Sequence, residues 1–195
     1  MQLGLRRPPG HRPKRDQRPR RHVCRAGRRR QRVRERRDDV LVFTGDPLPE
    51  DLLVIGVPEI ALPFSSSNPR ADLFVRLCEV DTRGVSRAVT DGYRRLSPDD
   101  AEIEAGTVRL ELAPLAHRFA AGSRLRVQVS SGAHPLHLRN PGTDDPVRDH
   151  SRLLASEQTV RVGGADPATL TLPAEVTVPA HAGAASPAVH RRVPR

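Results

Sequence analysis

The amino-acid sequence predicts an all-β protein built as an antiparallel β-sandwich. About ten short apolar segments follow one another, separated by clusters rich in Gly, Pro, Asn, Asp and Ser. Two of these segments alternate apolar and polar side chains strictly, which is typical of strands with one buried face. No stretch with helical periodicity is long enough to cover a sheet, so two packed sheets are the expected architecture.

The clearest strand pattern lies in the second half of residues 118–131. Leu125, Val127 and Val129 point to one face of the predicted strand, and the side chains between them are polar. Residues 107–112 show the same alternation a short way upstream. We expect these two segments to lie next to each other in the core of the domain.

The remaining strands are predicted from apolar runs between turn signals. They cover residues 40–43, 52–55, 59–64, 73–80, 86–90, 93–96, 158–162 and 169–172. Pro63 has no amide proton, which places its strand at a sheet edge or at a bulge. Asp91 and Gly92 are interpreted as a turn, and residues 132–151 as one long loop. A loop of about twenty residues in a compact domain usually has a function or lies at an interface.

Charge and composition divide the chain into three parts. Residues 1–38 hold 16 Lys and Arg against three Asp and Glu, whereas residues 39–195 hold 17 against 20. Because the basic part is rich in Arg and Pro and poor in apolar residues, residues 1–38 are predicted to be disordered. Residues 39–173 form the predicted domain, and the Ala- and Pro-rich residues 174–195 form a predicted disordered tail.

Two explanations of the basic arm stay open. In the first, the arm contacts nucleic acid through phosphate groups alone, without sequence preference. No aromatic side chain for base stacking interrupts its arginines, which weighs against this explanation. In the second, the arm is translated sequence that is not the natural start of the domain. We therefore predict no specific nucleic-acid partner.

The cysteines and histidines indicate no cofactor and no metal site. Cys24 and Cys78 are far apart and no C-x-x-C occurs, so neither a zinc framework nor a redox pair is predicted. His134 and His137 lie near several loop aspartates, but such side chains are more often solvated than metal-bound. His117 is predicted to be a hydrogen-bonded structural residue. No apolar run reaches the roughly 18 residues of a membrane span, and a cytoplasmic location is expected.

Six blocks of sequence in a fixed order resemble the C-terminal domain of the CocE/NonD hydrolases, the family of cocaine esterase and X-prolyl dipeptidyl-peptidase. Residues 37–44 resemble the pattern D-V-L-V-[FY]-T, and residues 72–92 resemble D-F-x-x-x-L-x-D-V-D-x-x-G followed by T-D-G. Residues 114–126 are similar to P-T-A-H-x-F-x-x-G-H-R-[IL]-R, and residues 130–140 to S-S-x-x-F-P followed by R-N. The last two blocks are Q-T-V at residues 158–160 and L-x-L-P at residues 170–173.

The chain departs from the family pattern in three places. Ser123 stands where the family usually has His, and His134 stands where it has Phe. His137 and Leu138 replace an aromatic–acidic pair. These differences affect loop contacts rather than the fold, and the resemblance implies a jelly-roll β-sandwich of the galactose-binding-like class.

The resemblance also implies a serine hydrolase of the acyl-ester or X-Pro dipeptidyl-peptidase type, whose triad belongs to a separate α/β-hydrolase domain. That chemistry needs a G-x-S-x-G nucleophile elbow between a strand and a helix, and these 195 residues contain none. We therefore expect no catalytic residue in this chain and no hydrolysis by it alone. The expected function is that of an accessory domain that packs on, or shapes, the catalytic domain. The alternative is a stand-alone β-sandwich that serves as a binding or interaction module.

The resemblance further implies a surface that a catalytic domain normally covers. The long loop is its expected source, because its apolar and planar side chains form no strand pattern: His134, Pro135, Leu136, His137, Leu138 and Arg139. An uncovered apolar patch promotes association, so a homo-oligomer is expected of the lone chain. A sugar-binding module is disfavoured, since Tyr93 is the only Tyr or Trp available as an aromatic platform.

Overall fold

Nearly all the regular structure of the protein is β-strand, as predicted. The computed structural model describes residues 2–4, 31–68, 70–100, 106–143, 145, 152–163 and 166–175. Within these ranges it contains one helix, α1 (Arg32–Glu35). The strands of the same ranges are β1 (Gln2–Gly4), β2 (Val40–Pro47), β3 (Leu52–Gly56), β4 (Glu59–Ser66), β5 (Ala71–Val80), β6 (Ser86–Leu96), β7 (Thr107–Glu111), β8 (Leu115–Phe119), β9 (Arg124–Ser130), β10 (Gln158–Val160), β11 (Thr169–Thr171) and β12 (Ala174–Glu175).

The strands form three antiparallel sheets around one apolar core. Sheet I has the order β2-β9-β5-β6; sheet II has the order β1-β11-β4-β10, with β7 also paired to β4; sheet III has the order β12-β3-β8. Val75 and Val127 of sheet I, Leu62 of sheet II, and Val54 and Phe119 of sheet III belong to a single buried cluster. The predicted antiparallel β-sandwich is therefore confirmed.

The two strictly alternating segments are strands, but they are not neighbours as expected. Strand β9 pairs with β2 and β5 in sheet I, whereas β7 pairs with β4 in sheet II. Leu125, Val127 and Val129 do point into the core. Alternation identifies the buried face of a strand, but it carries no information about which strand lies beside it.

The predicted turn at Asp91 and Gly92 is wrong, because both residues lie inside the continuous strand β6. This strand pairs with β5 along its whole length, with an irregularity between Leu77 and Cys78 of β5. A Cβ atom on Gly92 would lie 2.6 Å from the carbonyl oxygen of Glu111. Glycine is needed here for the close approach of another backbone, and not for a change of chain direction.

Pro63 does not lie at a sheet edge, because β4 has neighbours on both sides. On one side β11 pairs with residues 59–61 and β10 with residues 64–66, which leaves a gap beside Pro63. The Pro63 carbonyl accepts a hydrogen bond from the Arg161 amide at 3.0 Å on this side. The Pro63 nitrogen, which carries no proton, faces the same gap. No neighbouring strand there needs a hydrogen bond from it, so the proline is tolerated inside the sheet.

Strand β8 was not expected from the sequence, because a polar side chain interrupts its apolar face. His117 lies between Leu115 and Phe119 on that face, and its Nε2 atom lies 3.1 Å from Oε2 of Glu79. The imidazole also packs edge-on against Phe119, with ring centroids 4.6 Å apart. The predicted structural role of His117 agrees with these contacts.

The outer face of sheet I, opposite the core, is partly covered by residues 31–38. The Glu35 carboxylate accepts hydrogen bonds from Arg126 Nη1 at 2.8 Å and from Gln128 Nε2 at 2.9 Å. Both donors lie on strand β9, on the face that the alternation predicts to be polar. Gln128 is only 4% exposed, so this polar face is covered rather than solvated.

The packed part of the chain therefore begins before Asp39, which differs from the expectation that residues 1–38 are disordered. Gln31 accepts a hydrogen bond from Arg76 Nη1 at 3.3 Å, and β1 pairs with β11. Composition could not reveal this, because these contacts use polar side chains and backbone rather than apolar burial. The rest of the arm, residues 5–30, and residues 176–195 of the predicted tail lie outside the described residues.

Replacing Glu35 with Ala should lower the free energy of unfolding by about 1–3 kcal/mol, because two donors on a covered face lose their acceptor. Urea denaturation of the full chain measures the change. Glu50→Ala is the matched control, since Glu50 is exposed. Equal stability of the two variants would contradict the packing of residues 31–38 on sheet I.

Candidate interdomain interface

After strand β9 the chain forms a loop that leaves apolar side chains in solvent. We call residues 132–143 the docking loop. Seven large apolar side chains of the described residues are exposed, and four of them are leucines of this loop and of the segment that packs beside it: Leu136, Leu138, Leu153 and Leu154. Leu136 is 64% and Leu138 is 51% exposed. The apolar surface expected at this loop is therefore present.

The base of the docking loop is held by a part-buried ion pair between strands β5 and β6. Asp72 is 2% exposed and accepts hydrogen bonds from Arg95 Nε at 2.9 Å and Arg95 Nη2 at 3.0 Å. The bond to Asp72 raises the pKa of Arg95. From the loop, Asn140 Nδ2 donates to the same carboxylate at 3.0 Å, and the Leu138 carbonyl accepts from Arg95 Nη2 at 2.6 Å.

An aromatic stack holds the middle of the loop. The rings of Tyr93 and His137 are 3.8 Å apart and tilted by only 5°. Phe74 lies 6.2 Å from the His137 ring, and Arg95 lies over Tyr93 at 5.8 Å. Burial raises the pKa of Tyr93 to about 12, and the Asp72 carboxylate contributes to this rise. His137, which replaces an aromatic residue of the family pattern, still supplies a planar ring at this position.

The end of the docking loop is fixed by backbone contacts. Asn68 Nδ2 donates to the Gly142 carbonyl at 2.7 Å, and the Gly142 amide donates to Asn140 Oδ1 at 3.0 Å. The Leu154 amide donates to the Pro141 carbonyl at 2.8 Å. This last bond brings Leu154 and its neighbour Leu153 beside the loop, so they extend the apolar surface.

The six residues expected at the interface divide into two groups. His137 is half-buried against the sheet, whereas the other five are exposed: His134, Pro135, Leu136, Leu138 and Arg139. The loop thus turns one ring inward and leaves its two leucines outward. The use of this surface as an interface stays a prediction.

Sequence reasoning missed the residues that hold the loop. Asp72 and Asn140 occur in two different blocks of the family pattern, 68 residues apart. Tyr93 and Arg95 share one face of β6 by their spacing, but the interpretation of Asp91 and Gly92 as a turn obscured this. For Asp72 and Asn140, occurrence in the family pattern was the available signal, although the pattern does not show that the two side chains meet.

The described residues were also compared with the geometries that a metal site and a nucleophile elbow require. They contain no cluster of three or more His, Cys, Asp or Glu side chains with the geometry of a metal site, and Asp144, Asp149 and His150 lie outside them. Ser86, in the sequence G-V-S-R-A, begins strand β6 and is buried, so it does not form a strand-to-helix elbow. In the same described part, no helix is long and apolar enough to cross a membrane.

A model of the family described as X-Pro dipeptidyl-peptidase C-terminal non-catalytic domain matches residues 6–171 of the chain. The chain belongs to this family. The family accompanies catalytic domains in hydrolases of the X-Pro dipeptidyl-peptidase and CocE type, as the resemblance implied.

Individual relatives agree with this assignment. Cocaine esterase from Rhodococcus sp. (strain MB1 Bresler) is 33% identical over 115 residues, which cover 55% of this chain and 20% of that protein. The structure of an α-amino acid ester hydrolase matches with a TM-score of 0.65 and 27% identity, over 74% of this chain and 27% of its own. An aminopeptidase from the marine sediment archaeon Thaumarchaeota archaeon matches with a TM-score of 0.61 and 26% identity, over 75% of this chain and 27% of its own.

A CocE/NonD family hydrolase from Staphylococcus aureus shares the fold, with a TM-score of 0.52 at 18% identity. The chain spans between 20% and 30% of the length of these relatives. It therefore corresponds to one part of longer proteins.

Cys78 should be inert as a nucleophile in the folded protein. Burial raises the pKa of its thiol to about 12, so the thiol is neutral at pH 8, whereas the thiolate is the reactive form. In a Cys24→Ser variant, we expect a disulfide reagent such as DTNB to react with Cys78 only after urea is added. Rapid reaction at pH 8 without denaturant would contradict the buried position of this thiol.

Proposed function

We propose that the protein is the accessory domain of an α/β-hydrolase-type serine hydrolase and that its docking loop packs against the catalytic domain. Membership in a non-catalytic domain family supports the accessory role. The packing on a hydrolase domain, and the use of the loop for it, go beyond that membership. The proposed partner is a catalytic domain that supplies the nucleophile elbow absent from this sequence.

The substrate class follows from the names of the relatives. They include a cocaine esterase, an α-amino acid ester hydrolase and an aminopeptidase. The proposed enzyme therefore hydrolyses esters or peptide-type amides. In it, the accessory domain stabilises the catalytic domain or forms one wall of its substrate pocket.

The observation that carries the proposal is the pair of exposed leucines on an anchored loop. Leu136 and Leu138 are exposed although the Leu138 carbonyl and the Asn140 side chain are hydrogen-bonded to sheet I. Exposed large apolar side chains that lie together usually mark an interaction site. The stand-alone sugar-binding alternative is not favoured, because one face of Tyr93 is already covered by His137.

A fusion protein tests the accessory role directly. The catalytic part of the Rhodococcus cocaine esterase is joined to residues 1–195 in place of its own matching region. Compared with the esterase that lacks this region, we expect the fusion to unfold at a higher temperature and to hydrolyse ester faster. The reason is that apolar contact with the accessory domain excludes water from the catalytic domain.

Two variants and one control make the fusion test specific. Leu136→Ser with Leu138→Ser should remove the gain, whereas Ile55→Ser should keep it, because Ile55 is equally exposed but lies on strand β3. The isolated chain should show only background hydrolysis of the same ester. A fusion no more stable and no more active than the truncated esterase would refute the proposed packing.

The lone chain should self-associate through the same surface. Sedimentation velocity across a concentration series should show oligomers for the wild type. The Leu136→Ser, Leu138→Ser double variant should weaken association by at least about tenfold, given the apolar area that each leucine buries. A wild-type chain that stays monomeric at the highest concentration would count against an uncovered apolar surface.

A further inference from the structure

Beside the ring contact of Phe74 with His137, five side chains connect the docking loop to sheet I, and none of them is one of the exposed leucines. We call them the anchoring network: Asp72, Tyr93 and Arg95 on the sheet, with His137 and Asn140 on the loop. They form one contiguous set, because Arg95 contacts Asp72, the Tyr93 ring and the Leu138 carbonyl at once.

We propose that the anchoring network is a positioning device that holds the docking loop in its docking conformation before any partner binds. Leu136 and Leu138 then form a preformed surface for a hydrolase domain. The inference rests on the proposed function for the identity of the partner, but the order of the loop can be measured without one.

The contacts explain why the leucines point outward. His137 lies between them and is held against Tyr93 at 3.8 Å. The carbonyl of Leu138 is held by Arg95 at 2.6 Å. With the ring and the following carbonyl both turned toward the sheet, the leucine side chains on either side face solvent, where they are 64% and 51% exposed.

The network also explains why the loop stays on the sheet without strand pairing. Asp72 is almost fully buried, and a buried carboxylate is strongly destabilising when its donors are removed. Asn140 supplies one of those donors from the loop. If the loop left the sheet, Asp72 would lose this donor and the covered face of Tyr93 would lose its apolar contact with His137.

A preformed loop matters for binding because ordering a flexible segment opposes association. When the loop is already ordered, less conformational entropy is lost as the partner binds. The anchoring residues would thus affect affinity without touching the partner. This distinguishes them from the leucines, whose effect on affinity comes from direct contact.

Tryptic cleavage after Arg139 measures the order of the loop, because Arg139 is exposed and lies between the two loop anchors. The experiment uses the full chain, with fragments identified by mass. We expect His137→Ala and Asn140→Ala to be cleaved about three- to tenfold faster, as expected for the loss of one anchoring contact. Peptides of residues 132–146 with the same changes correct for intrinsic cleavage rates.

Three controls separate positioning from general destabilisation. His137→Phe should restore slow cleavage, because phenylalanine retains a ring to stack on Tyr93. Ser131→Ala, at an exposed position outside the docking loop, should leave the cleavage rate unchanged. With Cys24→Ser added to each variant, protection of the Cys78 thiol should persist, which shows that the sandwich itself remains folded.

The same variants are then compared for self-association by sedimentation. Faster cleavage together with association weakened by about three- to tenfold supports the positioning role. Unchanged cleavage rates in both His137→Ala and Asn140→Ala overturn the positioning role. It is also overturned if these two variants are cleaved faster but associate as strongly as the wild type, while the leucine variants associate more weakly. If the leucine variants do not change self-association, but His137→Ala and Asn140→Ala are still cleaved faster, the proposed docking function fails. The ordering of the loop by the anchoring network then stands.

Discussion

Strand β5 is buried on both faces, and the rest of the structure depends on how its polar outer face is covered. On the inner face, Leu73, Val75 and Leu77 join the apolar core. On the outer face, Asp72 and Arg76 are 2% and 8% exposed. Buried charges of this kind need partners within hydrogen-bonding distance. Strand β6 supplies the charged partners, Arg95 for Asp72 and Asp91 for Arg76. Two segments without sheet pairing of their own, one before β2 and one after β9, each add a neutral partner.

The two covering segments have different consequences. Residues 31–38 place Gln31 beside Arg76 and Glu35 beside β9, which closes one end of the outer face with polar contacts. The docking loop closes the other end, where Asn140 meets Asp72 and His137 meets Tyr93. Residues 31–38 expose one large apolar side chain, Val33, whereas the docking loop exposes two, Leu136 and Leu138. The same contacts that stabilise the sandwich therefore shape the surface that we assign to a partner.

The contacts on the outer face explain the structural role of several residues of the family pattern. Asp72 and Asn140 join the docking loop to the sheet. Ser123, which departs from the pattern, is buried and donates to the Ala120 carbonyl at 2.6 Å, so it stabilises the turn before β9. His137 departs from it too, yet retains a ring at the stacking position.

The sequence by itself determined the all-β class, the extent of most strands and the buried face of β9. These properties follow from the alternation of apolar side chains along a strand, which is a local property. The tertiary structure alone decided that β7 and β9 lie in different sheets, that Gly92 serves a close backbone approach, and that residues 31–38 cover sheet I. It also decided that Asp72 and Asn140 meet across 68 residues of sequence. Those contacts depend on the pairing of whole strands, and pairing is set by the packing of the complete core rather than by any single segment.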